Sequence, residues 1–386
     1  MNWITISRNA AGAAVLLAVM AAAISGSTAF AQQPVSYTNE LAALEARIAE
    51  LENMEYMQEE RVVYAQPGLA TDGSPAWITE FDYLYWTQRN ASNQYGITDI
   101  GGVQDRGAVG TVLAIDTDYA TGFRFAVGRR FSQGGAGGPE FVFRYTDFDT
   151  QATERHIGSL RASFISSDNS ENDDIDNTLT GTPNTITPDD RATQASALLR
   201  FNYQTYDLEL AQSLILADSL TLRLSGGGRA ADVGQSFQVT YTGGDFQTAF
   251  SPFQETEYTG GGLVMGTDLR WYVLPSLTFD IGAKGGLLVG TMQTRTFIPD
   301  DEPGVPTDVR YDETRLTPIV EMTAAVTYRG QFRRVQWDAS AGYQLTNWFN
   351  VADSRVFSDS HMEGQNVHLL NDLAIDGFYA RVGFGF

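Results

Sequence analysis

Gln331-Phe-Arg-Arg-Val-Gln-Trp-Asp-Ala-Ser-Ala-Gly-Tyr-Gln-Leu-Thr-Asn-Trp348 has a period of two. Val335, Trp337, Ala339, Ala341, Tyr343 and Leu345 fall on one side of an extended chain. Arg334, Gln336, Asp338, Ser340, Gln344 and Thr346 fall on the other. Successive strand residues point to opposite faces, so this is a strand with one apolar and one polar face. The segment before it repeats the pattern, with Leu316, Val320, Met322, Ala324, Val326 and Tyr328 against Thr317, Glu321, Thr323, Thr327 and Arg329. Gly330-Gln331 supplies a two-residue turn between the two.

Working outward, the same alternation recurs at Phe123–Phe131, Phe141–Tyr145, Leu220–Ala230, Leu263–Val273 and Leu277–Val289. Near Tyr206 the phase of the alternation slips, which reads as a bulge. Many segments run well past the five or six residues of a soluble sandwich strand. Tight turns at Ala217-Asp218-Ser219, Leu274-Pro275-Ser276 and Gly330-Gln331 alternate with long polar loops. Short turns at one end and long loops at the other are the pattern of a transmembrane barrel. The expected fold is therefore all-β, an antiparallel up-and-down transmembrane β-barrel. Its strands are Trp77–Gln88, Tyr119–Phe131, Pro139–Phe148, Gln194–Leu216, Ser219–Tyr241, Thr256–Leu274, Ser276–Phe297, Thr314–Arg329, Gln331–Asn347 and Asp376–Phe386, ten in all. The number rises to twelve if Ala108–Thr117 and Ile157–Ile165 are separate strands.

The final strand carries the most specific signal. Phe378, Ala380, Val382, Phe384 and Phe386 alternate with Gly377, Tyr379, Arg381, Gly383 and Gly385. An alternating strand that ends in Phe resembles the signal read by the barrel-assembly machinery of Gram-negative bacteria, with Phe378, Phe384 and Phe386 as its elements. Residues 1–31 read as a secretory signal peptide: a short n-region with Arg8, an alanine-rich apolar run, and Ala29-Phe30-Ala31 at the cleavage point. Residues 32–66 are expected to hold a periplasmic amphipathic helix. Leu41, Leu44, Ile48 and Leu51 recur at coiled-coil spacing, a seam about two heptads long. Either an oligomerising or peptidoglycan-directed stalk, or a solvated acidic helix, accounts for residues 37–63. Residues 67–76 are a Pro- and Gly-rich linker, and the barrel is residues 77–386.

Composition fits this organisation. The chain has 386 residues, 38 glycines, 12% aromatics, no cysteine and a formal net charge of −22. Of 25 basic residues, Lys284 is the only lysine. An acidic chain offers no electrostatic footprint for nucleic acid, and the lack of cysteine removes disulfide, zinc-thiolate and cysteine-nucleophile chemistry. The predicted outer loops 148–190, 242–257, 298–313 and 349–368 hold 21 acids against four arginines, a balance of −17. Residues 32–76 add −6, so the predicted strands and short turns are neutral. Charges that alternate with lipid-facing residues should line a lumen: Glu80, Asp82, Arg124, Arg144, Arg200, Arg223, Arg229, Asp268, Arg270, Asp280, Lys284, Glu321, Arg334, Asp338 and Arg381.

The barrel start, Trp77-Ile-Thr-Glu-Phe-Asp-Tyr-Leu-Tyr-Trp86, resembles the opening strand of the Legionella-type major outer membrane protein family. Leu199-Arg-Phe-Asn-Tyr-Gln-Thr-Tyr-Asp-Leu-Glu209 and Leu220-Thr-Leu-Arg-Leu-Ser-Gly-Gly-Gly-Arg229 are similar to its central strands. The heptad helix is similar to that of planctomycete members. The resemblance implies a diffusion pore in the cell outer membrane, in contact with outer-membrane lipid and inserted by the assembly machinery. It brings no catalytic residue and no cofactor.

Function is thus expected to be porin-like passive diffusion of small hydrophilic solutes with a weak cation preference, since rim acids attract cations. One alternative is a closed structural or adhesive barrel anchored through the helix. Another is a barrel hydrolase, for which His156, His361 and His368 are the available imidazoles. Asp359-Ser360-His361 reads better as a solvated loop than as a triad, because neighbours in sequence rarely converge in that geometry. Asp173-Asp174-Ile175-Asp176 lacks the twelve-residue spacing of a calcium loop. Gly226-Gly227-Gly228 and Gly260-Gly261-Gly262 have no helix to cradle phosphate and read as close strand approach or bends.

Overall fold

The computed structural model describes residues 76–386, apart from 91–92, 99–109, 116, 132–137, 163–165, 168–190, 245, 300–306, 334 and 359–365. The expected signal peptide, the seam Leu41, Leu44, Ile48 and Leu51, and the linker to residue 75 lie outside the described residues. So do the Asp173 run and Asp359-Ser360-His361.

Ten strands form one closed antiparallel ring: β1 (Ala76–Asn90), β2 (Ala120–Arg130), β3 (Glu140–Ala162), β4 (Arg191–Ala217), β5 (Leu220–Gly243), β6 (Phe253–Leu274), β7 (Leu277–Ile298), β8 (Thr307–Phe332), β9 (Val335–Ser358) and β10 (Asn366–Gly385). Each pairs with its neighbours in sequence, and β1 pairs with β10. Phe386 completes the seam, because its N–H donates to the Trp77 carbonyl at 3.1 Å and its carbonyl accepts from Trp77 at 2.8 Å.

The register fixes the geometry of the ring. From Gln336, Cα partners run through Gly385, Ile78, Gly128, Val142, Glu209, Gly227, Val264, Gly286 and Ile319 to Trp348. That path returns to β9 twelve residues higher. A shear of twelve over ten strands gives a tilt of about 40°. Strands β3 to β9 have 22–27 residues, so the wall is about 60 Å tall. An apolar band takes about 25 Å of this, and the rest projects above it.

This height corrects the expected loops. Much of 148–190, 242–257, 298–313 and 349–368 is barrel wall, and residues 157–162 are the top of β3 rather than a separate strand. Among the described residues of Ala108–Thr117 the strand is Val112–Ala114, which pairs with Gln94–Thr98 outside the ring. His156 and His368 therefore sit on β3 and β10, not in loops. The bulge expected near Tyr206 is also absent: β4 pairs continuously with β3 and β5 there, and its shift lies at Ile215/Ala217. What changes near Tyr206 is the surroundings. Tyr206, Leu208 and Leu210 face outward, whereas Leu199, Phe201 and Tyr203 are buried inside. Low on the wall the apolar medium is outside; high on the wall it is inside.

The turn expected at Gly330-Gln331 lies three residues further on. Gly330 pairs with Trp337, Gln331 with Gln336 and Phe332 with Val335, and Arg333 turns the chain with φ at 57°. The Trp337 ring covers Gly330 so closely that a Cβ there would lie 2.6 Å from it. A glycine under an aromatic ring thus extends the strand where a turn was expected.

Deleting Phe386 removes both hydrogen bonds at the lower end of the β1–β10 seam. The amount of heat-modifiable barrel in the outer membrane should fall, while signal cleavage, read by N-terminal sequencing, stays unchanged. Wild-type barrel levels in this variant would show that the terminal Phe is dispensable for assembly.

Candidate functional site

Low in the barrel every second side chain points into a lumen too narrow for unpaired charge. Nine cations and nine carboxylates meet there: Arg124, Arg130, Arg144, Arg223, Arg229, Arg270, Lys284, Arg329 and Arg381 with Glu80, Asp82, Glu140, Asp207, Glu209, Asp268, Asp280, Glu321 and Asp338. Their formal charges cancel. Burying an ion without a partner costs several kcal/mol, so the balance is a condition for filling this space with charge.

The contacts follow from the register. Asp82 on β1 lies opposite Arg124 on β2 and Arg381 on β10. Arg381 donates to it at 2.7 and 2.9 Å and Arg124 at 3.1 Å, and its side chain is 1% exposed. Arg124 also donates to Gln344 at 2.8 Å and Thr146 at 3.2 Å. On the opposite wall Arg229 grips both oxygens of Asp207 at 2.6 Å and reaches Glu321. Glu209 accepts from Arg144 at 3.1 Å and from Lys284. Nearer the lower end, Arg223 bridges Glu140 at 3.2 Å and Asp268 at 3.0 Å, and Arg270 pairs with Asp280 at 2.8 Å. About 200 Å³ of space remains among these groups.

Of the residues expected to line the lumen, thirteen point inward: Glu80, Asp82, Arg124, Arg144, Arg223, Arg229, Asp268, Arg270, Asp280, Lys284, Glu321, Asp338 and Arg381. Arg200 does not. It lies on the outer face of β4 between buried Leu199 and Phe201, because the apolar face is the inner one at that height. Residue 334 lies outside the described residues. Asp207 and Glu209 were missed, although Tyr206-Asp-Leu-Glu-Leu alternates clearly; the supposed slip at Tyr206 hid them. Arg130 and Glu140 sit at strand ends, where the alternating run is too short to set a phase, whereas Arg329 continues the polar face of its strand into the same space.

Above the charged layer apolar side chains reach across the lumen. Nine of the ten strands contribute to one buried apolar cluster that includes Leu84, Trp86, Phe148, Phe201, Tyr203, Tyr258, Leu288, Met292, Trp348 and Leu373. Trp86 contacts Tyr203 with ring centroids 6.5 Å apart, Tyr203 contacts Trp348 at 5.9 Å, and Trp348 contacts Tyr258 at 6.1 Å. Tyr203 on β4 and Trp348 on β9 are five strands apart in a ring of ten, so this contact spans the diameter. The Arg124 guanidinium stacks over Trp86 at 5.2 Å, joining the two layers. A second apolar cluster higher up gathers Tyr95, Leu160, Leu199, Phe237, Tyr241 and Phe246. At that height burial, with Glu154 beside it, pushes the Tyr95 hydroxyl up to about 12. On the exposed outer wall Arg295 donates to Asp308 twice at 2.9 Å, which holds that carboxyl below its usual range.

A closed ring with an apolar belt outside and ion pairs within defines an outer-membrane β-barrel. The chain belongs to the family described as the Legionella pneumophila major outer membrane protein precursor, which matches residues 71–386, and it resides in the outer membrane. No curated protein matches the chain. Among solved structures it is similar to the outer membrane protease OmpT from Escherichia coli, at 9% identity over 81% of this chain and 96% of that one, with a TM-score of 0.39. A Pseudomonas aeruginosa FadL homologue matches at 9% identity over 81% and 90%, TM-score 0.23. The Ralstonia pickettii toluene transporter TbuX matches at 9% over 84% and 92%, TM-score 0.21.

Removing one partner of a buried ion pair costs about 3–5 kcal/mol, because the other charge stays buried. Asp82→Asn leaves Arg124 and Arg381 without their shared carboxylate and should destabilise the barrel by about that amount. Asp268 has a side chain 47% exposed, and Asp268→Asn should cost about 0–1 kcal/mol. Urea unfolding in lipid vesicles, followed by tryptophan fluorescence, measures both. Equal costs would mean that the lumen is hydrated throughout.

Proposed function

We propose that this protein is a structural outer-membrane barrel, closed at rest, that anchors tall extracellular walls in the membrane. Residues 37–63 extend this role toward peptidoglycan. The observation that carries the reading is the aromatic septum: Trp86, Tyr203, Trp348 and Tyr258 meet across the full width of the lumen. Bulky side chains fill small barrels, and only wider ones keep an aqueous channel without further adjustment. The family's description as a major outer membrane protein agrees with an abundant envelope component. The proposal includes no enzymatic step.

Porin-like diffusion is the second reading, and it requires the septum to part. One observation favours it. The indole N–H groups of Trp86 and Trp348 and both amide atoms of Gln88 are buried with no hydrogen-bond partner among the described residues. Such groups cost about 1–3 kcal/mol each when nothing hydrogen-bonds them, so they favour passage of water or a polar solute. The acid surplus in the upper segments would then give a weak cation preference that fades with salt, since exposed charge is screened over about 8 Å.

Planar-bilayer recording with the full mature chain separates the readings. The closed barrel predicts a silent wild type and steady conductance from the Tyr203→Ala, Trp348→Ala double variant, provided that variant keeps its heat-modifiable mobility. Steady, voltage-independent, cation-selective conductance from the wild type would overturn the closed barrel in favour of the porin.

A further inference from the structure

At the lower rim of the outer wall, arginines are matched differently from those in the lumen. Inside, Arg229 and Arg381 meet carboxylates. Arg129, near the lower end of β2, is exposed and meets rings instead: its guanidinium carbon lies 5.4 Å from the ring centroid of Trp77 and 5.8 Å from that of Phe131. Both rings are themselves open, at 49% and 46% exposure. At the β8–β9 turn Arg333 repeats the arrangement over Phe332, at 5.4 Å. Neither guanidinium has a carboxylate or a hydrogen-bond acceptor among the described residues. A ring face holds a cation in place without neutralising it.

The height of Arg129 is set by its neighbours. Trp77 and Tyr85 share the outward face of β1, eight residues apart. At a rise of ~3.3 Å per residue and a tilt near ~40°, that is about 20 Å along the barrel axis, close to the ~25 Å apolar band with aromatic girdles at its edges. Trp77 therefore marks the lower edge of the band, and Arg129 is its direct cross-strand partner. Phe123 and Phe125, the exposed residues above it on β2, face the hydrocarbon. The guanidinium thus lies on the side of the wall, beside the headgroup layer. Charge at this end agrees: the lower turns at 131–139, 217–219, 275–276 and 333–334 hold Arg333 and Arg334 against one acid, Asp218. The acid surplus lies at the other end of the barrel, so an anion meets cations here and like charge there.

We propose that Arg129, held between Trp77 and Phe131, binds the phosphate of an anionic phospholipid in the inner leaflet of the outer membrane. The planar guanidinium fork matches phosphate oxygens with two parallel N–H donors, and those donors are free. The rings sit at the level where a lipid passes from headgroup to acyl chain, the place amphipathic aromatics favour. One lipid therefore satisfies both features, an anion for the arginine and an apolar stem for the rings. A soluble periplasmic anion would use the charge alone and leave the two open rings unexplained. The ammonium of a zwitterionic headgroup is repelled by the same cation, so a lipid of net negative charge is selected.

Native mass spectrometry tests this on the full mature chain, released from an equimolar mixture of phosphatidylglycerol and phosphatidylethanolamine with matched acyl chains. The wild type should retain phosphatidylglycerol in preference. Arg129→Gln should lower that preference about five-fold, the factor for one basic residue at an anionic surface. Arg129→Lys keeps the charge without the planar fork and should fall between the two. Arg200→Gln removes an exposed outward arginine high on the wall and should change nothing. Millimolar inorganic phosphate should leave the retained lipid in place. Each variant is scored as the folded, heat-modifiable barrel, and if Arg129→Gln fails to assemble, Arg129→Lys against Arg200→Gln decides. Absence of preference in the wild type, an undiminished preference in the Arg129 variants, an equal fall in Arg200→Gln, or displacement by inorganic phosphate would each overturn the proposal.

Discussion

Ten strands at a shear of twelve leave a lumen that side chains from opposite walls can bridge, and much of the rest follows from that width. Charge placed inside must find its partner inside. Asp82 is shared by arginines on both neighbouring strands, while Arg229 spans Asp207 on the adjacent strand and Glu321 three strands away. These pairs cross the ring as well as run along it, so the network also fixes the barrel's cross-section. Each removed partner would strand a charge whose remaining neighbours cannot move to compensate. The aromatic septum obeys the same width limit. Tyr203 and Trp348 reach each other across the diameter because a ten-strand ring is narrow enough for two large side chains to meet.

The lower barrel was legible because its two surroundings differ strongly. Lipid outside and ions inside give a clean period of two, and that period placed all ten strands and thirteen of the inward charges. The upper wall was harder for a physical reason. Once a strand leaves the membrane its outer face meets water and its inner face meets the apolar clusters, so the alternation inverts with no change in backbone. A hydrophobicity reading registers this inversion as a slip. At Tyr206 it therefore implied a bulge, turned Arg200 inward and hid Asp207 and Glu209. Gly330 shows a different limit: glycine marks turns and also marks strand positions covered by a ring, and only the partner Trp337, on the next strand, tells the two apart.

The glycines carry a second lesson about what a sequence leaves open. Gly226, Gly227 and Gly228 read alike as a run within a strand. In the barrel they divide by face: Gly227 is demanded by a neighbouring carbonyl, while a Cβ on either of its two neighbours would meet no described atom closer than 3.7 Å. Spacing alone could not separate these roles, because it says nothing about what lies beyond the outer surface.

Charge is segregated along the barrel axis as well. Among the described residues the lower lumen is neutral at nine against nine, so the acidic balance of the chain resides in its upper segments and in residues 32–76. Surface acids in water cost little and are screened within about 8 Å, whereas lumen ions persist only in balanced pairs. The two populations therefore respond to different constraints. Substitutions in the upper segments can alter what the outer surface attracts without disturbing the barrel, and substitutions of the most deeply buried lumen ions, such as Asp82 and Arg229, must occur in compensating pairs to be tolerated. That separation leaves the rim free to vary above a wall whose interior cannot.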